Sequence, residues 1–268
     1  MFRLTPTVKV ILIINFGLFI IASFLNFPLN DIFAMRVVFS EDFAIYQPFT
    51  YMWLHSTQGF GHILGNMLAV FFFGPMLENV WGSKRFLQFY LIVGIGAGVL
   101  FGIADFVEKY PLKKDTEEYI ANPNADDFYS FILDHDVRDY NYDWFNQAYA
   151  FSEAYTNNPE SAEMRSASMD YVNAIYKFKV DIPMVGASGA VFGILLAFAM
   201  MFPNTQIYVY MLFPVKAKYL VLFYGLYELY AEMSRSPGDN IAHLAHLGGM
   251  LVAFVLLKIW DRNTTRLY

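Results

Sequence analysis

Residues 87–104 read LQFYLIVGIGAGVLFGIA, 18 consecutive positions without a charged side chain. Crossing the hydrocarbon core of a bilayer as a helix takes roughly 20 mostly apolar residues. A surface helix of a soluble domain would instead alternate an apolar stripe with a charged face. No such face exists here, so this segment reads as a membrane span. Comparable blocks lie on either side of it: 8–25, 60–77, 186–202, a stretch around 216–233, and 242–260, with the central block running 86–104. Six spanning helices follow. Of the 268 residues, 57% are hydrophobic and only 16% charged, below the usual charged share of a soluble domain.

The chain contains no cysteine, which excludes disulfides, thiol nucleophiles and thiolate metal sites. Segment 8–25 lacks a small-x-small cleavage site, so it is expected to stay as a span. The net charge of −6 hides an uneven distribution, because the acid concentrates in one segment. Lys and Arg in short loops mark the cytoplasmic side. With the N-terminus inside, that side gathers Arg3, Lys9, Lys84, Arg85, Lys216, Lys218, Lys258, Arg262 and Arg266, against Glu78 and Asp261. Both termini are therefore expected in the cytoplasm.

Two connections are too long for turns. Residues 26–59 mix Phe39, Phe43, Tyr46, Phe49, Tyr51 and Trp53 with polar residues, as an element lying in the headgroup layer would. Residues 105–183 form an acidic, polar insertion between helices 3 and 4. Apolar residues recur at helical spacing around Phe145 and Tyr149, and again at Met169, Val172, Ile175 and Tyr176. A small helical lobe is expected there, broken at Asn157-Asn158-Pro159.

Polar residues inside spans are costly, so each is a functional candidate. Helix 2 carries GHILGNMLAVFFFG, with His62 and Asn66 four apart on one face. Helix 4 opens with VGASGAVFGILLAF, where Ser188 stands between Gly186 and Gly189. Helix 6 opens with NIAHLAHLGGMLVAF, carrying His243 and His246. Helices 2, 4 and 6 all run from outside to inside, and their polar residues fall in the first turns, so these groups share one depth. Gly189 with Gly193, and Gly249 with Ala253, form small-xxx-small faces that let helix backbones approach; Gly98 and Gly102 do the same on helix 3.

A serine hydroxyl becomes a nucleophile when a neighbouring neutral imidazole takes its proton. The oxyanion that forms then needs fixed donors, which Asn, His and backbone N–H groups supply. Ser188, His246, Asn66 and His62 are the required parts for acyl transfer. No acidic third member is visible at matching depth, so the expectation is a Ser-His dyad.

These residues resemble the rhomboid family, through H-I-L-G-N (62–66), E-N-V-W-G (78–82), G-A-S-G (186–189) and A-H-L-G-G (245–249), in the family's order. The resemblance covers all six helices and leaves out 105–183. It implies an all-α membrane protein, a six-transmembrane-helix rhomboid-like bundle making one membrane domain over 1–268. It also implies an intramembrane serine endopeptidase that cuts transmembrane segments of other proteins near their outer ends. Ser188 would be the nucleophile and His246 the general base. His62, Asn66 and the N–H of Ser188 would form the oxyanion hole, and Phe192 would lie against the catalytic imidazole. The helix 5 region and the loop 234–240 would serve as lateral gate and cap. Tyr46-Gln47 stand where many members carry a Trp-Arg pair, and the lobe replaces a short loop.

Blander readings compete. Ser188 alone would be a small packing residue, its hydroxyl bonded back to a carbonyl. His243 and His246 could form a metal pair with His62, but no carboxylate is evident nearby to support one. His243 reads as structural, His55 as an interfacial hydrogen-bonding residue, His135 as a surface histidine, and Glu78 as a local cap. Glu228 and Glu232 on helix 5 face the outer interface or the lobe. A catalytically inactive rhomboid-like binding protein would lack Ser188 or His246, and a transporter would show inverted repeats. No cofactor, metal or nucleic-acid partner is expected. The partners are the lipid bilayer and transmembrane substrates, in the cell (inner) membrane, with the site open to the outer side.

Overall fold

The computed structural model describes residues 3–25, 27–138, 141–209, 212–234 and 242–263. The first helix, α1 (Pro6–Phe24), starts with proline, whose missing N–H costs nothing at a helix start. The next free N–H groups, of Thr7 and Val8, donate to the Glu78 carboxylate at 2.9 and 3.0 Å. Thr5 Oγ1 and Ser83 Oγ donate to the same carboxylate, the latter at 2.6 Å. Glu78 lies near the end of α4 (Gly61–Trp81), just before the turn at Gly82, whose φ of +77° suits glycine. It is thus a cap, as expected, but for a helix start 71 positions away. An anion at the positive end of a helix dipole binds the two helices together.

Between α1 and α4 the first loop folds into α2 (Leu29–Phe33), α3 (Gln47–Thr50) and a 3-10 turn, Tyr51–Trp53. Gln47 is fully buried; its Oε1 accepts from the Arg36 N–H and its Nε2 donates to the Asp42 carbonyl at 2.7 Å. A single amide therefore anchors the loop where the Trp-Arg pair is missing. Tyr51 Oη donates to the Gly94 carbonyl at 2.6 Å, and a Cβ on Gly98 would lie 2.5 Å from the Tyr51 ring. Gly102 faces Met35 in the same way. The small face of helix 3 at Gly98 and Gly102 thus receives the first loop, which corrects its expected use as a helix-helix contact.

The helix containing 86–104 does not stop at 105. It runs as α5 (Ser83–Ala121), 39 residues, or about 58 Å at 1.5 Å per residue, nearly twice the roughly 30 Å of a hydrocarbon core. Beyond the apolar stretch it is held by Lys–carboxylate pairs at i,i+4, Lys109–Asp105, Lys113–Glu117 and Lys114–Glu118. The lobe is completed by α6 (Ala125–Asp134), α7 (Tyr142–Asn157) and α8 (Ala162–Val180). Asn124, Asn141 and Ser161 cap their N-termini by side-chain hydrogen bonds. Phe128, Tyr155 and Val172 are completely buried in a hydrophobic core separate from that of the apolar helices. The break after Asn157 falls where the sequence put it.

The chain then enters α9 (Ser188–Met201), which ends before Pro203. An antiparallel hairpin follows, β1 (Gln206–Val209) and β2 (Phe213–Lys216), paired Ile207 to Val215. These are the only two strands among the described residues, made where β-branched and aromatic residues replace helix formers. α10 (Ala217–Met233) and α11 (His243–Asn263) complete the fold.

Helices thus occupy all six expected positions. Four of them, α1, α4, α5 and α11, are long and apolar enough to cross a membrane, whereas α9 is apolar but shorter. Large apolar side chains such as Ile13, Phe72, Ile103, Phe223 and Leu251 point outward, uncovered by protein. The loop 234–240 expected to act as a cap lies mostly outside the described residues.

Replacing Glu78 by Ala is expected to lower stability by about 2–3 kcal/mol, because it strips charge-assisted acceptors from a buried helix start. Thermal unfolding in detergent would read this as a clear drop in Tm.

Candidate active site

Ser188 is the first residue of α9. The first hydrogen bond of that helix runs from Val191 N to Ala187 O at 2.9 Å. The N–H groups of Ser188, Gly189 and Ala190 therefore have no acceptor within the helix, and the dipole adds positive potential there. Three hydrogen bonds fix the approach: Met35 and Met184 exchange two in a β-bridge, each 2.9 Å, and Gly186 N donates to Tyr51 O at 3.1 Å. Gly186 has φ +136°, and a Cβ there would lie 2.8 Å from His62 Nε2. Only glycine fits both conditions.

The distance between α9 and α11 is set by glycine. A Cβ on Gly249 would run into the Gly189 carbonyl oxygen, and one on Gly193 would lie 3.2 Å from Ala253 Cβ. One on Gly189 would meet Ala97 of α5 at 2.6 Å and the Ala245 carbonyl at 3.2 Å. Gly189, Gly193, Gly249 and Ala253 thus form one crossing, with the backbones themselves in contact.

That crossing brings the starts of α9 and α11 onto a cavity of about 940 Å³, which also receives the first turns of α4. Ser188, His246, His62, Asn66 and Phe192 all line it. The Phe192 and His246 rings stack at 4.3 Å between centroids and 8° between planes, so the plane of the imidazole is fixed. His62 Nδ1 accepts the Ser56 N–H at 3.3 Å, which leaves the proton of the neutral ring on Nε2, beside Gly186 and Ser188. Asn66 is buried, and its Nδ2 has no hydrogen-bond partner among the described residues. An orphan buried donor normally costs free energy, and one bordering a cavity suits a ligand oxygen. Ser188 Oγ and His246 are not hydrogen-bonded to each other; the two groups share the cavity, as in many unliganded sites that tighten on binding substrate.

An acidic neighbour is present after all. Glu228 of α10 is 5% exposed, and its Oε2 accepts from His246 Nδ1 at 2.8 Å and from His243 Nδ1 at 2.6 Å. The absence of a carboxylate at matching depth, and the outward placement of Glu228, are both corrected by these bonds. A signal existed in the sequence: a lone carboxylate within YGLYELY needs a buried partner. What the sequence does not give is the rotational phase of α10. The three groups have ligand atoms within 4.8 Å of one another. Their contacts are hydrogen bonds, shorter than the roughly 3.3 Å that separates ligands bonded to zinc at 2.0–2.1 Å.

Other histidines also sit differently from expectation. His135 lines the same cavity, mostly covered, with Nε2 2.8 Å from Asp115 Oδ2, so it is not a free surface residue. His55 is 1% exposed and packs edge-on to His62 at 5.1 Å, with no hydrogen bond on either ring nitrogen among the described residues. It is a packing residue. The lobe reaches the cavity through Glu108, Lys109 and Lys179. Burial holds the Lys179 ammonium below its usual range, against the carboxylates of Asp136 and Glu108.

Among known proteins, the family model described as the Rhomboid domain matches residues 42–111 and 164–261. No curated protein and no solved structure matches the chain. The matched stretches contain His62, Asn66, Ser188, Glu228 and His246 and leave out most of the lobe.

Replacing Gly249 by Ala is expected to separate α9 from α11. Any activity that needs Ser188 and His246 to act together should fall at least about tenfold, since a displacement of about 1 Å between reacting groups costs up to 100-fold. Assay of the folded variant against wild type checks this.

Proposed function

The chain belongs to the rhomboid family, and from that premise we propose that this integral membrane protein is an intramembrane serine endopeptidase. Ser188 is the nucleophile and His246 the base. The observation that carries this reading is the meeting of four complementary groups on one cavity. They are a hydroxyl at a free helix start, an imidazole with Nδ1 engaged, and the donors His62 Nε2 and Asn66 Nδ2.

The proposed steps follow from that arrangement. Glu228 holds the Nδ1 proton, so the lone pair of His246 lies on Nε2. That nitrogen takes the Ser188 proton as Oγ attacks a peptide carbonyl, and an acyl-enzyme forms as the amine leaves with the proton. The oxyanion is met by Asn66 Nδ2, His62 Nε2 and the Ser188 N–H. Water then enters the cavity and attacks the acyl carbon as His246 takes its proton; the acyl–Oγ bond breaks, His246 passes that proton to Ser188 Oγ, and the acid is released. No metal or cofactor enters these steps.

In the full reading the six helices span the cell (inner) membrane with both termini in the cytoplasm. The segment 105–183 stands outside as an insertion into a single membrane domain, and the cavity opens toward it. The substrates are transmembrane segments whose outer ends contain small, helix-destabilising residues, because the backbone must unwind to reach Ser188. The contribution of Glu108, Lys109 and Lys179 to the cavity supports a role for the lobe in receiving the extramembrane end of such a segment.

Replacing Ser188 by Ala should abolish cleavage of a transmembrane substrate in detergent while leaving Tm nearly unchanged. Full activity in that variant would end the proposal. Replacing Asn66 by Ala should lower turnover about 10–1000-fold, in line with loss of an oxyanion donor.

A further inference from the structure

The catalytic reading leaves one buried charge to be explained. Glu228 is the only buried residue with a carboxylate among the described residues of α10, whose other buried residues are Ala217 and Val221. Most of its remaining side chains, including Leu222, Phe223, Leu226, Tyr227 and Tyr230, are exposed and apolar. A carboxylate turned inward from such a helix must have its desolvation offset by donors. Both donors it finds are imidazole Nδ1 atoms of α11, one turn apart, on the same oxygen.

We infer that Glu228 is the positioning residue of the base, which makes the catalytic unit a Ser188–His246–Glu228 relay with His243 fastening the carboxylate; this rests on the protease reading above. A carboxylate only accepts, so it selects the Nδ1–H tautomer of His246 and leaves Nε2 as the acceptor facing the cavity. Phe192 fixes the plane of the ring and Glu228 fixes its rotation within that plane. Together they define where Nε2 points. As Ser188 Oγ gives up its proton, the imidazolium forms 2.8 Å from a carboxylate oxygen that is shielded from water, where charge stabilisation is strong.

His243 has a different task. It is 2% exposed, and its Nδ1–H is the second donor to Oε2. Without it the carboxylate would rest on a single donor in an apolar setting. Because the carboxylate comes from α10 and the base from α11, the base is set only while the Glu228 turn stays against α11. Motion of α10 that admits a substrate must therefore leave that turn in place, or switch the base off.

The test compares Glu228→Gln and Glu228→Asp with wild type. It measures kcat and KM on a fluorogenic transmembrane peptide with small residues near its outer end, together with Tm. Gln keeps the shape and discards the charge, whereas Asp keeps the charge and shortens the side chain. A relay predicts that E228Q loses kcat by on the order of 100-fold or more, through the wrong tautomer. KM should stay within about threefold, and E228D should be faster than E228Q. An E228Q enzyme within about threefold of wild type, or one at least as fast as E228D, would overturn the inference and identify Glu228 as a packing residue. The order of the two variants is what decides, so partial destabilisation of both leaves the test intact. If wild type itself does not cleave while the peptide is cut by another protease, the protease reading falls first and takes this inference with it.

Discussion

The close crossing of α9 and α11 is the constraint on which the rest of this structure depends. At Gly189 and Gly249 the two backbones touch, and no side chain larger than hydrogen fits between them. A hydroxyl at the first residue of one helix and an imidazole in the first turn of the other are thereby brought to one cavity. In lipid no hydrophobic drive pushes helices together, so such contact must come from small residues and from hydrogen bonds. Small residues supply the contact between α9 and α11, while the hydrogen bonds of Glu228 hold α10 to α11.

The remaining helices act as supports for that pair. α5 contributes Ala97 against Gly189 and supplies, through Gly94 and Gly98, the surface on which Tyr51 of the first loop rests. Tyr51 in turn holds Gly186, and Gly186 makes room for His62. At the opposite end of α4, Glu78 ties α1 to the turn that starts α5. The chain of contacts is therefore continuous from the cap of α1, along α5, to His62.

Much of this was legible in the sequence, and the reasons are specific. Apolar blocks give spans because lipid tolerates little else, and glycines spaced four apart mark close helix faces. The positions of Ser188, His62, Asn66 and His246 in first turns pointed to a shared site, and all four line one cavity. Three features were not legible. The continuation of α5 through residue 105 to Ala121 depends on i,i+4 ion pairs and on lobe packing, whereas a change in hydropathy looks like the end of a helix. The hairpin at 206–216 was masked by its apolar composition. Glu228 was visible as a residue but not as a partner, since it and His246 lie 18 positions apart on different helices. Periodicity gives the face of a helix only when that helix has two unlike faces, and α10 is apolar nearly all round.

The central claim is that Ser188 is an activated hydroxyl, made so by the imidazole of His246. The most direct measurement treats the folded protein in detergent with a fluorophosphonate and maps the covalent adduct by mass spectrometry. The account predicts an adduct on Ser188 in wild type and none once His246 is replaced by Ala. Folded wild-type protein that stays unmodified at Ser188, or modification that persists without His246, would contradict it.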